Sequence, residues 1–264
     1  MLTVADWVHH LEAFAPPTLA ASWDNVGLLL GERKSVCECV MTCLTITPEV
    51  VAETVAETVQ LIVSHHPILF KGAKSLADTT PEGRLLLPLL RAGTAVYSPH
   101  TAFDNCPGGI NDGLATRFGL LNVRPLRPIQ ADLAGTGGEG RIGVLATPLS
   151  LQEFAARVKR VCQAPAVQFV GDSTKPVRMV ALACGAAGVY LPDAIRANAD
   201  VFVTGEARFH DLLAAEAAGI SLVLPGHYAT ERPGIEELAV RLQSAFPTAR
   251  VWASRAERDP LSTI

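Results

Sequence analysis

The sequence predicts an α/β fold in which strands and helices alternate along the 264-residue chain. Short apolar runs rich in β-forming residues precede segments whose apolar side chains recur with helical spacing, which is typical of β-α-β units. Apolar residues make up 49% of the chain and charged residues 18%, so the chain can bury a large core. Because such units join parallel strands, we expect mostly parallel or mixed sheets.

Start and stop signals delimit the elements in the first half of the chain. Residues Thr3 to Asp6 have the form of a capped helix start, and Thr47 before Pro48 has the form of an N-cap followed by proline at the first helical position. Gly93 indicates a helix end. We predict strands at 40–46, 61–63 and 94–97, and helices beginning at 3, 48, 81 and 110.

The second half repeats the alternation after an irregular stretch. Pro125, Pro128 and a glycine-rich run interrupt any periodicity between 123 and 140, so we interpret this stretch as a linker. Beyond it we predict strands at 142–146, 177–183, 200–203, 221–224 and 250–253, and helices at 150–162, 190–197, 208–218 and 235–245.

Charge and composition argue against several classes of function. The formal net charge is −4 and no basic block is present, so a nucleic-acid partner is not expected. No apolar run reaches the ~18 residues of a membrane span, and the N-terminus lacks the pattern of a signal peptide, so we expect a cytoplasmic protein with no membrane contact. The six cysteines form no Cys-x-x-Cys pair and are expected to be mostly buried thiols, with Cys106 notable for its nearness to Asp104.

Metal-ligand side chains follow three of the predicted strands. His65 and His66 follow one strand, Asp104 follows another, and His227 and Glu231 follow a third. Functional sites of α/β folds lie at the carboxyl ends of strands, where loops converge. Imidazole and carboxylate groups suit Zn, Mn, Fe, Co or Ni. The pattern therefore predicts a divalent-metal site.

The number of donors favours two ions with open coordination positions. Adjacent histidines in an extended segment point to opposite sides and could serve two neighbouring cations, which a carboxylate can bridge. Open positions are typical of reactive sites. The competing interpretations are ordinary ones: a half-buried polar histidine pair, Asp104 as the cap of a turn, and His227 with Glu231 as a surface pair. The coincidence of three strand ends favours metal binding.

Ordered motifs occur along nearly the whole chain. They are Trp23-Asp24-Asn25-Val26-Gly27-Leu28, His65-His66-Pro67, His100-Thr101 with Asp104 and Pro107-Gly108-Gly109-Ile110-Asn111-Asp112, Thr204-Gly205-Glu206 with His210-Asp211, and Gly226-His227-Tyr228-Ala229-Thr230-Glu231-Arg232-Pro233-Gly234. Together these motifs resemble the NIF-three-like dinuclear-metal family, whose members are often labelled GTP cyclohydrolase I type 2 homologues.

The resemblance implies a site and an assembly. It implies two α/β domains with a cleft between them and two divalent cations near the mouth of that cleft. The implied metal ligands are His65, His66, Asp104, His227 and Glu231, with His100 close to them. It implies that the last helix and strand return to the first domain. We therefore expect a first domain of 1–128 plus 225–264, an inserted second domain of 129–224, and a ring-like homohexamer. A large extra domain that some members carry is absent, since 135–140 is only a short loop here.

Further residues are candidates for chemistry. Glu206 and His210 could form an acid–base pair, or Glu206 could simply favour a helix N-terminus. The glycine-containing loop 184–188 could bind phosphate or be a plain tight turn. Trp23-Asp24-Asn25 could line the site too, although Trp23 is expected to be a packing residue.

Two functions remain open at this stage. The first is a metal-dependent hydrolase, cyclohydrolase-like or acting on phosphoesters, whose substrate is a nucleotide-like small molecule and in which His100 or Glu206 moves protons. The second is a non-catalytic metal store, metal-delivery scaffold or interaction protein. The titratable residues His100, Glu206 and His210 favour the hydrolase hypothesis, although such residues also orient metal ligands.

Overall fold

The computed structural model describes residues 1–129 and 135–262. Two compact units contain nearly all of these residues: Met1–Phe103 with Ile235–Pro260, and Asp104–Gly234. Each unit combines helices with one sheet, which confirms the predicted α/β class.

The strands that the structure describes are, in chain order, β1 (Gly27–Leu30), β2 (Cys39–Cys43), β3 (Leu61–Ser64), β4 (Ala95–Ser98), β5 (Leu120–Pro128), β6 (Gly138–Ser150), β7 (Gln168–Val170), β8 (Pro176–Ala183), β9 (Val201–Thr204), β10 (Ser221–Leu224) and β11 (Arg250–Ala253). The described α-helices are α1 (Val4–Phe14), α2 (Pro48–Ala56), α3 (Pro81–Ala92), α4 (His100–Asn105), α5 (Ile110–Arg117), α6 (Leu151–Val161), α7 (Leu191–Arg196), α8 (Phe209–Ala218) and α9 (His227–Ala245). Short 3₁₀ turns lie at Pro17–Leu19 and Gly188–Tyr190.

Helix ends follow the signals in the sequence. Thr47 caps α2 by accepting a hydrogen bond from the Val50 N–H (3.3 Å). Ser150 forms a capping box with Glu153 at the start of α6. Gly93 ends α3 in the left-handed conformation, with φ of 68°.

The first unit contains a five-stranded sheet in the order β1-β4-β3-β2-β11. All neighbours are parallel except β1, which runs antiparallel to β4. The last strand pairs with β2, so the C-terminal segment returns to this sheet. Buried apolar side chains such as Met41, Ile62 and Val96 form its core. Because β3 and β4 are parallel, the residues that follow them emerge at the same edge.

The second unit contains a six-stranded mixed sheet in the order β5-β6-β8-β9-β10-β7. Its three parallel strands, β8, β9 and β10, lie between antiparallel neighbours. Ile142, Phe202 and Leu222 are among the buried residues that pack against it. Cys184, Gly205 and Pro225 follow the parallel strands directly, so they share one sheet edge.

The linker prediction for 123–140 is wrong where the structure describes it. Although proline and glycine interrupt the sequence pattern, β5 and β6 form an antiparallel pair there, in which Arg127 lies opposite Glu139. The middle of that stretch, 130–134, lies outside the described residues. Among the described helices, none combines the length and apolar character that crossing a bilayer requires.

Candidate metal centre

His65 and His66 continue the edge of the first sheet beyond β3. The His65 N–H donates to the Cys43 carbonyl (2.9 Å) and the His66 N–H donates to the Leu44 carbonyl (2.8 Å), so both backbones remain anchored to the neighbouring chain. His65 is fully buried. The two residues form a bend instead of regular strand. Their rings therefore do not diverge as ideal strand geometry would require, and the ring centroids lie 5.1 Å apart.

His100 joins these two side chains from the start of α4. Its ring centroid lies 5.2 Å from that of His65 and 5.6 Å from that of His66. One ligand atom from each of the three residues lies within 4.8 Å of the others. Nitrogens bound at about 2.0–2.1 Å to one zinc ion lie roughly 3–4 Å from each other, so small side-chain adjustments would suffice for coordination. We call His65, His66 and His100 the three-histidine group.

Two members of the three-histidine group are oriented by polar partners. The Nδ1 atom of His66 lies 2.7 Å from the Thr45 hydroxyl, and the Nδ1 atom of His100 lies 2.7 Å from Asp24 Oδ1. Because each contact engages Nδ1, Nε2 is the atom of that ring that would coordinate a cation. A partner on the far ring nitrogen is the usual way in which proteins orient a ligating histidine.

Asp24 is held as a carboxylate by its neighbours. Burial by itself would raise its pKa, but hydrogen bonds from His100 and Thr101 outweigh that effect and lower the pKa of Asp24 to about 2. The Thr101 N–H and hydroxyl both donate to Oδ2. Asp24 therefore presents an ionised acceptor to the His100 ring. From the sequence, Asp24 is expected only as one of the residues 23–25 that could line the site, and its contact with His100 is not predicted.

Exposed aromatic rings flank His100. Trp23 is 63% exposed and Phe70 50% exposed, and both rings pack edge-on near that of His100 at 6.1 and 6.3 Å. The interpretation of Trp23 as a packing residue is therefore wrong. His100 itself has a φ of 28°, a left-handed backbone conformation that non-glycine residues seldom adopt. Such strain at a polar residue is common at functional positions.

In the second unit, His227 and Glu231 lie one turn apart at the start of α9. The His227 Nε2 atom is 3.0 Å from Glu231 Oε2, and its Nδ1 atom is 3.1 Å from Glu206 Oε1. Burial alone would lower the pKa of His227, but the two carboxylates outweigh it and raise the pKa to about 9. We call Glu206, His227 and Glu231 the His227 group. A cation needs the neutral imidazole, so it would compete with this proton.

Glycines allow the loops of the second unit to approach the His227 group closely. A Cβ atom on Gly185 would lie 2.2 Å from Glu231 Oε1, and one on Gly205 would lie 2.7 Å from the Gly185 carbonyl and 2.8 Å from the His227 Cα. Gly185 also has a φ of 64°. The Thr230 hydroxyl accepts a hydrogen bond from the Gly185 N–H (3.0 Å) and fixes this approach.

Asp104 lies on α4, four residues after His100, and its side chain contacts a cysteine. The Cys184 sulfur is 3.1 Å from Asp104 Oδ1. The sequence predicts Cys184 only as part of the loop 184–188 and not as a partner of Asp104; its position directly after a central parallel strand is the signal that points to this edge of the sheet. Cys106, which the sequence had marked, is fully buried, and its carbonyl accepts from Arg141 (3.2 Å).

His210 is the candidate residue that does not contact the other candidates among the described residues. It is exposed in the first turn of α8, and its ring packs at 6.0 Å from that of Phe209. Among the described residues, no contact joins it to the other candidates, and Glu206 faces His227 instead. The proposed Glu206–His210 pair thus lacks a contact between its members.

The donor set fits divalent transition metals. Neutral imidazole and carboxylate are the ligand types that Zn, Mn, Fe, Co and Ni prefer, and both units supply them at strand ends. A mostly carboxylate or carbonyl set would suit Mg or Ca instead. The three-histidine group could hold a metal ion with the described side chains.

Comparison with known proteins identifies the family. The family model described as Duf34/NIF3 (NGG1p interacting factor 3) matches residues 2–260. The chain belongs to the Duf34/NIF3 family. A family relative named "Protein NIF3 homolog", from Schizosaccharomyces pombe, is 35% identical over 96% of this chain and 95% of its own length. A second, from Streptomyces coelicolor and named "GTP cyclohydrolase 1 type 2 homolog", is 33% identical over 98% of this chain and 94% of its own length.

Solved structures share the fold of this chain. The Staphylococcus aureus protein SA1388 superposes with a TM-score of 0.90 at 28% identity, covering 100% of this chain and 99% of that chain. A Bacillus cereus protein whose title says that it is related to NIF3 superposes with a TM-score of 0.91 over the whole of both chains. Its identity of 22% supports the fold alone.

Proposed function

We propose that this protein binds two divalent cations through His65, His66, Asp104, His227 and Glu231, and that it hydrolyses a nucleotide-like small molecule with their help. The observation that carries the proposal is the three-histidine group, in which one ligand atom of each ring lies within 4.8 Å of the others. Thr45 and Asp24 hold two of those rings by the opposite nitrogen. Such prearranged imidazoles are typical of a metal site.

Bound divalent cations supply Lewis acidity and lower the pKa of water from 15.7 to about 7 in favourable zinc sites. The chain supplies groups that could move protons. His100 is not among the five proposed ligands, and its Nδ1 atom contacts the ionised Asp24, so the ring could carry a proton as an imidazolium stabilised by that carboxylate. Glu206 is 59% exposed and can exchange protons with solvent. His210 is the weakest of the three candidates, because its contacts are with Phe209.

The substrate class rests on relatives and not on a ligand. Several relatives carry the name "GTP cyclohydrolase 1 type 2 homolog". A nucleotide offers phosphate oxygens to cations and a planar base to aromatic side chains. The exposed Trp23 and Phe70 rings beside His100 are suited to a planar group. The substrate would thus approach along the Trp23 side of the three-histidine group.

The homohexamer implied by the family resemblance belongs to the same proposal. Native mass spectrometry of the purified chain should show a species of six chains. A stable monomer at micromolar concentration would remove this part of the proposal and leave the metal ligands untouched.

The test of the function is turnover that depends on metal. The purified protein is loaded with Zn²⁺, Mn²⁺, Fe²⁺, Co²⁺ or Ni²⁺ and screened against nucleotides and phosphoesters, with and without chelator. We expect hydrolysis that the chelator abolishes and that His65→Ala and His227→Ala lack. Bound metal without turnover on any substrate would favour a metal store or delivery scaffold instead. Activity that survives the chelator would contradict both.

A further inference from the structure

Cys184 lies against a residue that the proposed function makes a metal ligand. It follows β8 directly, is 7% exposed, and places its sulfur 3.1 Å from Asp104 Oδ1. An ionised carboxylate accepts hydrogen bonds and donates none, whereas a thiol has one S–H to donate. The contact therefore has a definite direction, from the Cys184 thiol to the Asp104 carboxylate.

The backbone around this contact is fixed from both sides. The Cys184 N–H donates to Asn111 Oδ1 (2.9 Å), and the Asn111 amide donates to the Asp104 carbonyl (3.1 Å). The single Asn111 side chain thus ties the loop after β8 to the end of α4. The next N–H, that of Gly185, donates to Thr230 (3.0 Å). The backbone that carries the thiol is therefore held next to the carboxylate.

We propose that Cys184 is a positioning residue for Asp104. Its S–H engages one carboxylate oxygen, which fixes the rotation of the carboxylate and so the direction in which the group would meet a cation. This inference rests on the proposed function, because it takes Asp104 to be a ligand. It assigns the buried Cys184 a role in metal affinity, without making the sulfur itself a ligand.

The experiment compares Co²⁺ binding to the full-length wild-type protein and to matched variants. Cys184→Ala removes the donor and Cys184→Ser restores one. Cys162→Ala is the control, because Cys162 is also a buried thiol of the same unit, at the end of α6. We expect Cys184→Ala to weaken Co²⁺ binding about 10-fold to 100-fold, as loss of a ligand's hydrogen-bond partner does. Cys184→Ser should stay near the wild type, and Cys162→Ala should match it.

The absorption spectrum separates positioning from ligation. With the sulfur outside the coordination shell, wild-type and Cys184→Ser proteins loaded with Co²⁺ should both lack a near-ultraviolet thiolate charge-transfer band. Such a band in the wild type that disappears in Cys184→Ser would make the sulfur a ligand and overturn the inference. Equal Co²⁺ affinity in wild type and Cys184→Ala would also overturn it.

Two safeguards keep the outcome clear. If Cys184→Ala does not fold, Cys184→Val fills the volume without a donor and is subject to the same expectation. A wild-type protein that binds no Co²⁺ would overturn the proposed function and this inference together, whereas wild-type binding that is unchanged in the donor-free variants would overturn the inference alone.

Discussion

The two units place their donor side chains by different means. In the first unit, side-chain hydrogen bonds orient the rings: Thr45 holds His66 and Asp24 holds His100. In the second unit, glycines permit close approach, since a Cβ atom at Gly205 would meet backbone atoms and one at Gly185 would meet the Glu231 carboxylate. The first arrangement should therefore be sensitive to the loss of polar groups, and the second to added bulk.

The largest expected effect tests the second half of this comparison. A Cβ atom at Gly205 would meet backbone atoms, the Gly185 carbonyl and the His227 Cα, which cannot move aside as a side-chain tip can. We expect Gly205→Ala to lower the free energy of unfolding by about 3 kcal/mol, measured by urea denaturation. Gly219→Ala, where open space surrounds the position, should cost about 1 kcal/mol through backbone strain alone. Equal losses in the two variants would argue against the close approach.

Gly185→Ala should affect the metal more than the fold. The added methyl would meet the Glu231 carboxylate tip, which can rotate away at little cost in stability. Gly185 and Gly219 have similar positive φ values, 64° and 71°, so their alanine variants should lose similar stability. We expect the Gly185 variant alone to bind Co²⁺ about 100-fold more weakly, since displacing a ligand costs at least as much as losing its partner. If the Co²⁺ affinity is unchanged, Glu231 does not contribute to metal binding.

A side-chain cluster away from the metal residues tests the first half of the comparison. Glu53 accepts hydrogen bonds from Trp252 (3.0 Å) and Ser254 (2.6 Å), which hold the returning C-terminal strand. Burial would raise the pKa of Glu53, but these donors and nearby backbone N–H groups outweigh it and lower the pKa. Glu53→Gln should cost about 2 kcal/mol at neutral pH.

The sign of the pH effect follows from the lowered pKa of Glu53. Its contribution to stability is present above the ordinary value of 4.5 and is lost as the pH falls through the lowered folded-state value. Wild-type and Glu53→Gln stabilities, measured by urea denaturation, should therefore converge on acidification. A constant difference at every pH would show that charge is not what holds the strand.

The smallest expected effect concerns a single hydroxyl. Thr45→Val removes the partner of His66 Nδ1 while keeping the shape of the side chain. We expect Co²⁺ affinity to fall about tenfold, measured by calorimetry. Thr79→Val, another exposed threonine of the same unit, should leave the affinity unchanged. If both variants match the wild type, the orientation of His66 does not depend on Thr45.

Much of the fold followed from local signals, because the parallel strands are short apolar runs and their helices begin with recognisable caps. Thr47-Pro48 and Ser150 located helix starts within a residue. The signals failed where prolines conceal regular structure. Because of Pro125 and Pro128, the sequence pattern did not predict β5. Because of Pro233, it did not predict the first turns of α9, which begins at His227 and not at 235.

The sequence predicted which residue types could form the candidate site, but not the residues that contact them. His65 and His66 stood out because they follow a buried strand. Asp24 and Cys184 could not be assigned, since their roles come from contacts 76 and 80 residues distant in the chain. The predicted domain limits and the predicted ligand set as a whole remain predictions.

The most direct test of the account is the number of cations that one chain holds. Equilibrium dialysis of the wild-type protein against Co²⁺, followed by elemental analysis, should give two ions per chain, with fewer in His65→Ala and in His227→Ala. A wild-type value near zero, or full occupancy in both variants, would contradict the account.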